Sequence, residues 1–374
     1  MSIKKVYFDN AATTPVDESS IEAVLSVMKY SWGNPSSTHA FGRTSRSLLE
    51  RARRQFANDF DVDPAEIFFT SGATESITIA FHSACKEGVK HIITVSTEHK
   101  AVMDAANEMH IRHNIPLTIL PVNQHGAIDL SELSEALQLH PGKALVAIMY
   151  VNNETGVIHP LKEIGEMVSN YNGLFFCDCV QAALYQDIKP KAQFVDYFSL
   201  SAHKIYGPKG VGLLYINKAR EKHALWRGGS QERSLRPGTE NIPGIAGFTA
   251  AWEKAQKNKD ANQKKVQLLA NRLLEGLSQI KGAKRNGTST ASHIVHLSIP
   301  SNKSTSAILL EFDLAGVALS AGSACQSGSH QRSHVVEAMG LPKGYVELRI
   351  SIGKQNTEDD IDYLLTVLHK IAAN

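Results

Sequence analysis

The chain is poor in cysteine. Its four thiols, Cys85, Cys177, Cys179 and Cys325, are spread over 374 residues without a CxxC pair. That spacing excludes a zinc ribbon and a disulfide framework, and in a reducing compartment each is a free thiol. Charge of one sign is lacking too. Lys and Arg number 39 against 37 Asp and Glu, a formal net charge of +2, too weak a field to point to nucleic acid or an anionic membrane. No apolar run approaches the roughly 18–20 residues of a membrane-crossing helix. The start, MSIKKVYFDNAATTP, has no apolar stretch of leader length, so a cytoplasmic location is expected. No GK[ST] phosphate loop follows SGATES at 71–76, and GPKGVG at 207–212 leads into an apolar, strand-like run rather than a helix. A nicotinamide oxidoreductase is therefore disfavoured.

What is present is an ordinary globular composition, 43% hydrophobic and 20% charged, in a chain long enough for two domains. Between about Glu66 and Ile216, seven short apolar runs alternate with helical patterns: EIFFT, HIITVS, LTILPV, ALVAIMYV, GLFFCD, DYFSLS and GVGLLYI. Fully apolar strands alternating with helices, such as Glu75–Glu87 and Leu161–Tyr171, predict an α/β fold. Its sheet is mainly parallel, seven-stranded and covered by helices on both faces. Past residue 250 the texture changes. WEKAQKNKDANQKKVQLLANRLLEGLSQI reads as one long polar helical stretch, with Leu268, Leu269, Leu273 and Leu277 as its stripe. HIVHLSIP, GVALSAG and VELRISIG read as strands, SAILLEFDLAG and Glu358–Ala373 as helices. The expected organisation is a large domain at 16–250 and a smaller α+β domain from 1–15 and 251–374, carrying a cysteine loop at 320–334.

Several residues fall where open α/β sheets place ligands, at strand carboxyl ends. Lys204 follows DYFSLS, and Asp178 ends GLFFCD. A lysine for a Schiff base and an acid for a pyridinium nitrogen are the two protein groups that pyridoxal 5'-phosphate requires; alone, each reads equally as a loop lysine and a turn-capping acid. Ser71–Ser76 opens a helix after EIFFT and suits a phosphate through its first-turn N–H groups and Thr74, or is a plain N-cap with Glu75 downstream. His99, after HIITVS, is placed to stack on a flat cofactor and move protons, or to cap a helix. Asn153 is either a cofactor or substrate contact or a turn residue. Arg349, inside an apolar strand, needs an anion: a substrate carboxylate or an internal ion pair. Cys177 and Cys179 alternate on one strand and read, like Cys85, as packing. Cys325 lies instead in SAGSACQSGSHQRSH, among small polar residues unsuited to burial.

FDNAATTP, GNPSSTHAFG, FTSGATES, TEHKAV, VNNETGV, DCVQA, SAHKIYGPKG, RPGTEN, SAGSACQSG and RISIG follow one another along nearly the whole chain. This ordered set resembles the cysteine desulfurases of the class V aminotransferase group, fold type I pyridoxal phosphate enzymes, in the branch with a long mobile cysteine loop. The resemblance implies that the large domain binds pyridoxal 5'-phosphate, held by Lys204. Asp178 would pair with the ring nitrogen, and His99 would stack on the ring. Gln181 and Asn153 would contact the ring oxygen or the substrate. Ala73, Thr74, Ser201 and His203 would bind the phosphate, with Thr239 supplied across a homodimer. Arg349 and Asn34 would hold the substrate carboxylate, and Cys325 would be the nucleophile. The implied reaction takes L-cysteine to L-alanine and leaves a persulfide on Cys325 for an acceptor protein, an iron–sulfur scaffold or a thiolation enzyme, with no direct nucleic-acid or membrane partner. Six to eight extended residues on each side of Cys325 would span about 20 Å. His330, Arg332 and His334 would favour its thiolate, or form a solvated basic face.

Two features depart from the pattern. Cys179 stands where members often have alanine. The chain also stops soon after 358–373, without the extension that some members use to hold a scaffold, which leaves the acceptor open. A selenocysteine lyase, another class V aminotransferase and a silent assembly partner of the same fold remain the competing expectations.

Overall fold

A computed structural model of the protein describes residues 4–139, 143–322 and 332–372. In chain order its strands are β1 (Val6–Tyr7), β2 (Ile67–Thr70), β3 (His91–Val95), β4 (Leu117–Leu120), β5 (Ala144–Ala147), β6 (Leu174–Asp178), β7 (Tyr197–Ser201), β8 (Gly212–Ile216), β9 (Lys284–Arg285), β10 (Ile294–Pro300), β11 (Val317–Ala318) and β12 (Tyr345–Ser351). The helices are α1 (Glu18–Tyr30), α2 (Ala40–Phe60), α3 (Ala73–Lys86), α4 (Lys100–His113), α5 (Leu130–Leu139), α6 (Leu161–Asn170), α7 (Ile242–Lys257), α8 (Lys259–Leu277), α9 (Thr305–Leu314), α10 (His334–Ala338) and α11 (Glu358–Ala372).

The seven apolar runs are the seven strands of one sheet, ordered β2-β8-β7-β6-β5-β3-β4. Their side chains feed two cores alternately. Phe175 and Cys177 belong to the cluster on one face, and Leu174 and Phe176 to the cluster on the other. A strand buried on both faces has no polar side to show, which is why these runs read as continuously apolar; the exception is the edge strand β4, where Ile119 is 46% exposed. Six strands run parallel; β8 alone is antiparallel to both of its neighbours, β2 and β7. The link from β7 to β8 is the ten-residue turn region 202–211, too short for a helical crossover, so the chain turns back on itself.

A second apolar cluster lies under β10 and β12 and is closed by α8 and α11 through Leu269, Leu273, Leu364 and Leu368. Val6 and Phe8 join it, so the start of the described chain is packed among its last elements. Here the sequence reading needs three corrections. Residues 252–280 are two helices, not one: Asn258 separates α7 from α8, and its side-chain amide donates to the Lys254 carbonyl at 2.8 Å. An Asn that satisfies a backbone carbonyl from its side chain competes with helix continuation. Leu268 is 66% exposed, off the stripe that Leu269, Leu273 and Leu277 bury. GVALSAG contributes the short β11, which pairs with β1, and it reaches the three-stranded sheet β12-β10-β9 only through an isolated bridge from Ser320 to Arg349 on β12.

Among the described residues four histidines are buried: His91, whose Nε2 meets Thr118 Oγ1 at 2.8 Å, and His159, His293 and His296. Burial pushes His159 down to about 4, and burial pushes His293 and His296 to about 3, with Arg349 adding to the effect on His296. The unfolded chain takes up protons on these rings near 6.5 that the folded chain refuses. Stability must therefore fall as pH drops below about 6.5, with each ring adding up to about 1.4 kcal/mol per pH unit until its folded value is reached. Denaturant unfolding measured between pH 7 and 5 is expected to show this decline. It should be shallower in a His159→Gln variant, which removes one of the three protons.

Candidate active site

Because β2, β3, β5, β6 and β7 are parallel, their carboxyl ends open onto one edge of the sheet. A cavity of about 520 Å³ lies there, lined by Lys204, Asp178, His99, Gln181, Ala73, Thr74, Ser201, His203, Asn153 and Arg349. Ten residues singled out in the sequence thus meet in one place.

Lys204 ends a single 3-10 turn after β7. Its Nζ donates to the carbonyls of Ala11 and Ala12 at 2.5 and 2.6 Å, and Gln181 donates to the same Ala11 carbonyl at 2.9 Å. Asp178 ends β6, the strand beside β7, in register with Ser199. It is 7% exposed and accepts the Val180 N–H at 2.9 Å. Burial raises its pKa, and His99, the Val180 N–H and Lys204 pull against that. A carboxyl held up by desolvation gains when a cation is set beside it. His99 caps α4, its Nδ1 accepting the Ala101 N–H at 3.1 Å, so in the neutral ring the proton sits on Nε2. Burial lowers its pKa against the pull of Asp178, and Lys204 and His334 lower it further. The ring is therefore neutral at physiological pH.

The start of α3 is built for an anion. Its N-cap is Gly72, with no side-chain cap, so the first-turn N–H groups are left for a ligand. A Cβ on Gly72 would find nothing nearer than the Ser201 hydroxyl at 3.9 Å, so this backbone is open to the cavity. The plain capping alternative is not what forms. Glu75 reaches back instead to the Ser71 N–H at 2.6 Å, and its charge is met by Arg236 at 2.9 Å. His203 faces Thr13 Oγ1 at 3.1 Å and is pushed to about 4 by burial and then by Lys204 and Lys209. It is a neutral hydrogen-bonding group. Gly212, on the reversed strand β8, lies opposite both Thr70 and Ser201. A Cβ there would meet the Gly72 backbone at 2.6 Å; the glycine lets the loop pass.

Arg349 is 1% exposed, and both readings of it meet here. It lines the cavity, yet its Nη2 is already paired with Asp9 at 2.8 Å, and its Nη1 donates to the Asn153 carbonyl at 3.0 Å. Asn34 and Thr239 do not line the cavity. Both are exposed, and Asn34 accepts the Ser36 N–H at 2.9 Å. Cys325 lies outside the described residues. The chain on either side of it does reach this region. Ser320 bridges the Arg349 backbone, Ser333 Oγ donates to the buried Glu154 carboxylate at 2.6 Å, and a Cβ added at Gly322 would come within 3.1 Å of the same carboxylate. Cys177 and Cys179 are buried with sulfurs 3.6 Å apart in the core beneath Asp178.

Sequence reasoning missed Asp9, the carbonyls of Ala11 and Ala12, and Glu98. Glu98 is fully buried, accepting the His99 N–H at 3.2 Å and the Met149 N–H, while His334 meets its carbonyl at 2.9 Å. Burial and then Asp178 hold its carboxyl well above the usual range. The only signal was an acid beside His99 in TEHKAV.

The aminotransferase class V family model matches residues 6–364. The chain belongs to the class V aminotransferases. A cysteine desulfurase IscS of Methanosarcina thermophila is 39% identical over 375 residues, covering 98% of this chain and 92% of that one. A solved NifS-like protein superposes with a TM-score of 0.91 at 34% identity over 99% of this chain and all of that chain. A NifS-like protein from Rickettsia africae gives 0.90 at 30% over the same shares. Class V aminotransferases work with pyridoxal 5'-phosphate, and this cavity fits it. It combines a lysine amine, a buried acid suited to a ring cation, a neutral histidine and an open helix N-terminus for the phosphate. Gly212→Ala is expected to raise the dissociation constant of pyridoxal 5'-phosphate by about tenfold or more, about 1.4 kcal/mol, read by titrating the apoprotein. An unchanged constant would show that the Gly72 loop does not hold the phosphate.

Proposed function

We propose that this class V aminotransferase is a cysteine desulfurase that converts L-cysteine to L-alanine and stores the sulfur as a persulfide on Cys325. The observation that carries this reading is the meeting of Lys204, Asp178, His99 and Arg349 in one cavity, with the chain before Cys325 bridged to Arg349 at Ser320 and the chain after it bonded to Glu154, beside Asn153, at Ser333. Relatives and neighbours named as cysteine desulfurases and NifS-like proteins support it.

On this reading the α3 N-terminus, Thr74, Ser201 and His203 would hold the phosphate, Lys204 would hold the cofactor covalently, and Asp178 would pair with its ring nitrogen. When bound, the cofactor supplies an electron sink for the bond broken at the substrate Cα. Arg349 orients the substrate carboxylate, with Asn153 and Gln181 alongside. The Lys204 amine would take the Cα proton of the bound substrate, and the Ala11 and Ala12 carbonyls, 2.5 and 2.6 Å from Nζ, would hold its ammonium form in place. His99, a neutral imidazole on the cavity wall, would pass protons there. The Cys325 thiolate attacks the substrate sulfur, whose bond to carbon breaks with its electron pair left on the carbon side. Protonation of that carbon gives L-alanine, so L-cysteine and one thiol become L-alanine and one persulfide. Thr239, exposed and outside the lining of this cavity, is the residue we expect to complete the phosphate site of a second copy in a homodimer, and Asn34, likewise exposed, is the residue we expect to help Arg349 hold the substrate carboxylate. The persulfide would pass to an acceptor protein, an iron–sulfur scaffold or a thiolation enzyme.

Incubation of the holoenzyme with L-cysteine should release L-alanine and add one sulfur to Cys325 by mass spectrometry. Cys325→Ala should keep its cofactor yet lose turnover by about 10²-fold or more, as expected for a covalent nucleophile. Full turnover in that variant would remove Cys325 from the mechanism. Activity that required a 2-oxo acid would point to amino transfer instead.

A further inference from the structure

Asp9 is an acid for which the reaction above has no use, and it sits in direct contact with the arginine proposed to bind substrate. It is held rigidly. Ser351 on β12 donates its N–H to the Phe8 carbonyl at 2.7 Å and accepts the Ala11 N–H on its hydroxyl at 2.9 Å. Asn10 donates to the Ser351 carbonyl at 2.8 Å. Arg349 lies two residues back on the same strand, so acid and guanidinium ride on one frame. The frame also fixes the carboxylate's distance, 2.8 Å from Nη2. The rest of the guanidinium is only partly committed: Nη1 donates to one carbonyl, and among the described residues Nε has no hydrogen-bond partner. His296, opposite Arg349 in the β10–β12 pair, stays neutral and adds no charge.

We infer that Asp9 is a specificity-determining residue, a fixed negative charge on Arg349 that admits amino acids bearing one carboxylate and disfavours those bearing two. This rests on Arg349 being the substrate-carboxylate site. A carboxylate accepting from the same guanidinium lies about 4–5 Å from Asp9. One carboxylate tolerates this, because the guanidinium offers it two parallel donors. A second carboxylate finds Arg349 already half neutralised and meets Asp9 as a like charge across a partly desolvated cavity, a repulsion worth about tenfold in affinity.

The test uses the holoenzyme and two unreactive ligands, L-alanine and L-aspartate, titrated against the visible absorbance of the bound cofactor. Asp9→Asn keeps the acceptor oxygen for Arg349 but removes the charge. The ratio of the L-aspartate to the L-alanine dissociation constant should fall by about tenfold. Taking the ratio cancels any loss of alignment common to both ligands. Asp9→Glu, which keeps the charge, should stay near the parent ratio. Asp9→Ser serves if the Asn variant does not take up cofactor. A ratio unchanged in the uncharged variants overturns the role of Asp9. Arg349→Gln tests the underlying reading separately: it should weaken both ligands, and unaltered binding of both would remove Arg349 from substrate recognition while leaving the Asp9 comparison interpretable.

Discussion

A buried carboxyl and a lysine amine share one small cavity, and the remainder of the site is arranged around that pairing. Asp178 and Lys204 come from the ends of neighbouring parallel strands, β6 and β7, whose register sets Asp178 beside Ser199. Desolvation alone would neutralise such an acid. The surroundings oppose this with an N–H donor from Val180 and with the positive charge of Lys204. The amine is in turn held by two carbonyls of the segment 9–13, those of Ala11 and Ala12. That segment is the strut of the site: it meets Lys204 and Gln181 through Ala11 and Ala12, His203 through Thr13, and Arg349 through Asp9.

Around this pairing, charge is rationed. His99 and His203 are neutral, Glu75 is matched by Arg236, and Asp9 is matched by Arg349. An anionic ligand therefore meets a few placed donors rather than a diffuse positive surface, the arrangement by which a polar pocket fixes orientation. The loop carrying Glu232, Arg233 and Ser234 has three successive non-glycine residues at positive φ, at a cost of about 1–2 kcal/mol each. The bidentate Arg53–Glu232 pair, with both side chains nearly fully buried, holds it against β2 through the Ile67 carbonyl and the Phe69 N–H. This is how Arg236 is brought to Glu75.

The sheet was legible because a strand buried on both faces must be apolar throughout, and six of the seven strands are buried in this way, the edge strand β4 being the exception. Residues at strand ends were legible for the same reason: Asp178 and Lys204 break the apolar pattern where ligands bind. The reversal of β8 leaves no mark on its fully apolar run; its only trace in the sequence is the ten-residue link 202–211, too short for a helical crossover. Asp9 was invisible as a functional residue because its partner lies 340 positions away, and nothing local distinguishes it from a turn acid. Arg349 was half legible. The need for an anion was readable, but that Asp9 fills part of that need is a property of the folded chain. Leu268 misled because one apolar residue beside a true stripe has the composition of the stripe without its angle. Thr239 and Asn34 were named only through the family resemblance, and a single chain gives them no partner in the cavity.

The central claim is that this edge of the sheet holds pyridoxal 5'-phosphate on Lys204. Reduction of the holoenzyme with borohydride, digestion and mass spectrometry tests it most directly. The account predicts a phosphopyridoxyl group on the peptide containing Lys204 and on no other. Label on Lys209 alone, or no label on a protein saturated with the cofactor, would contradict it.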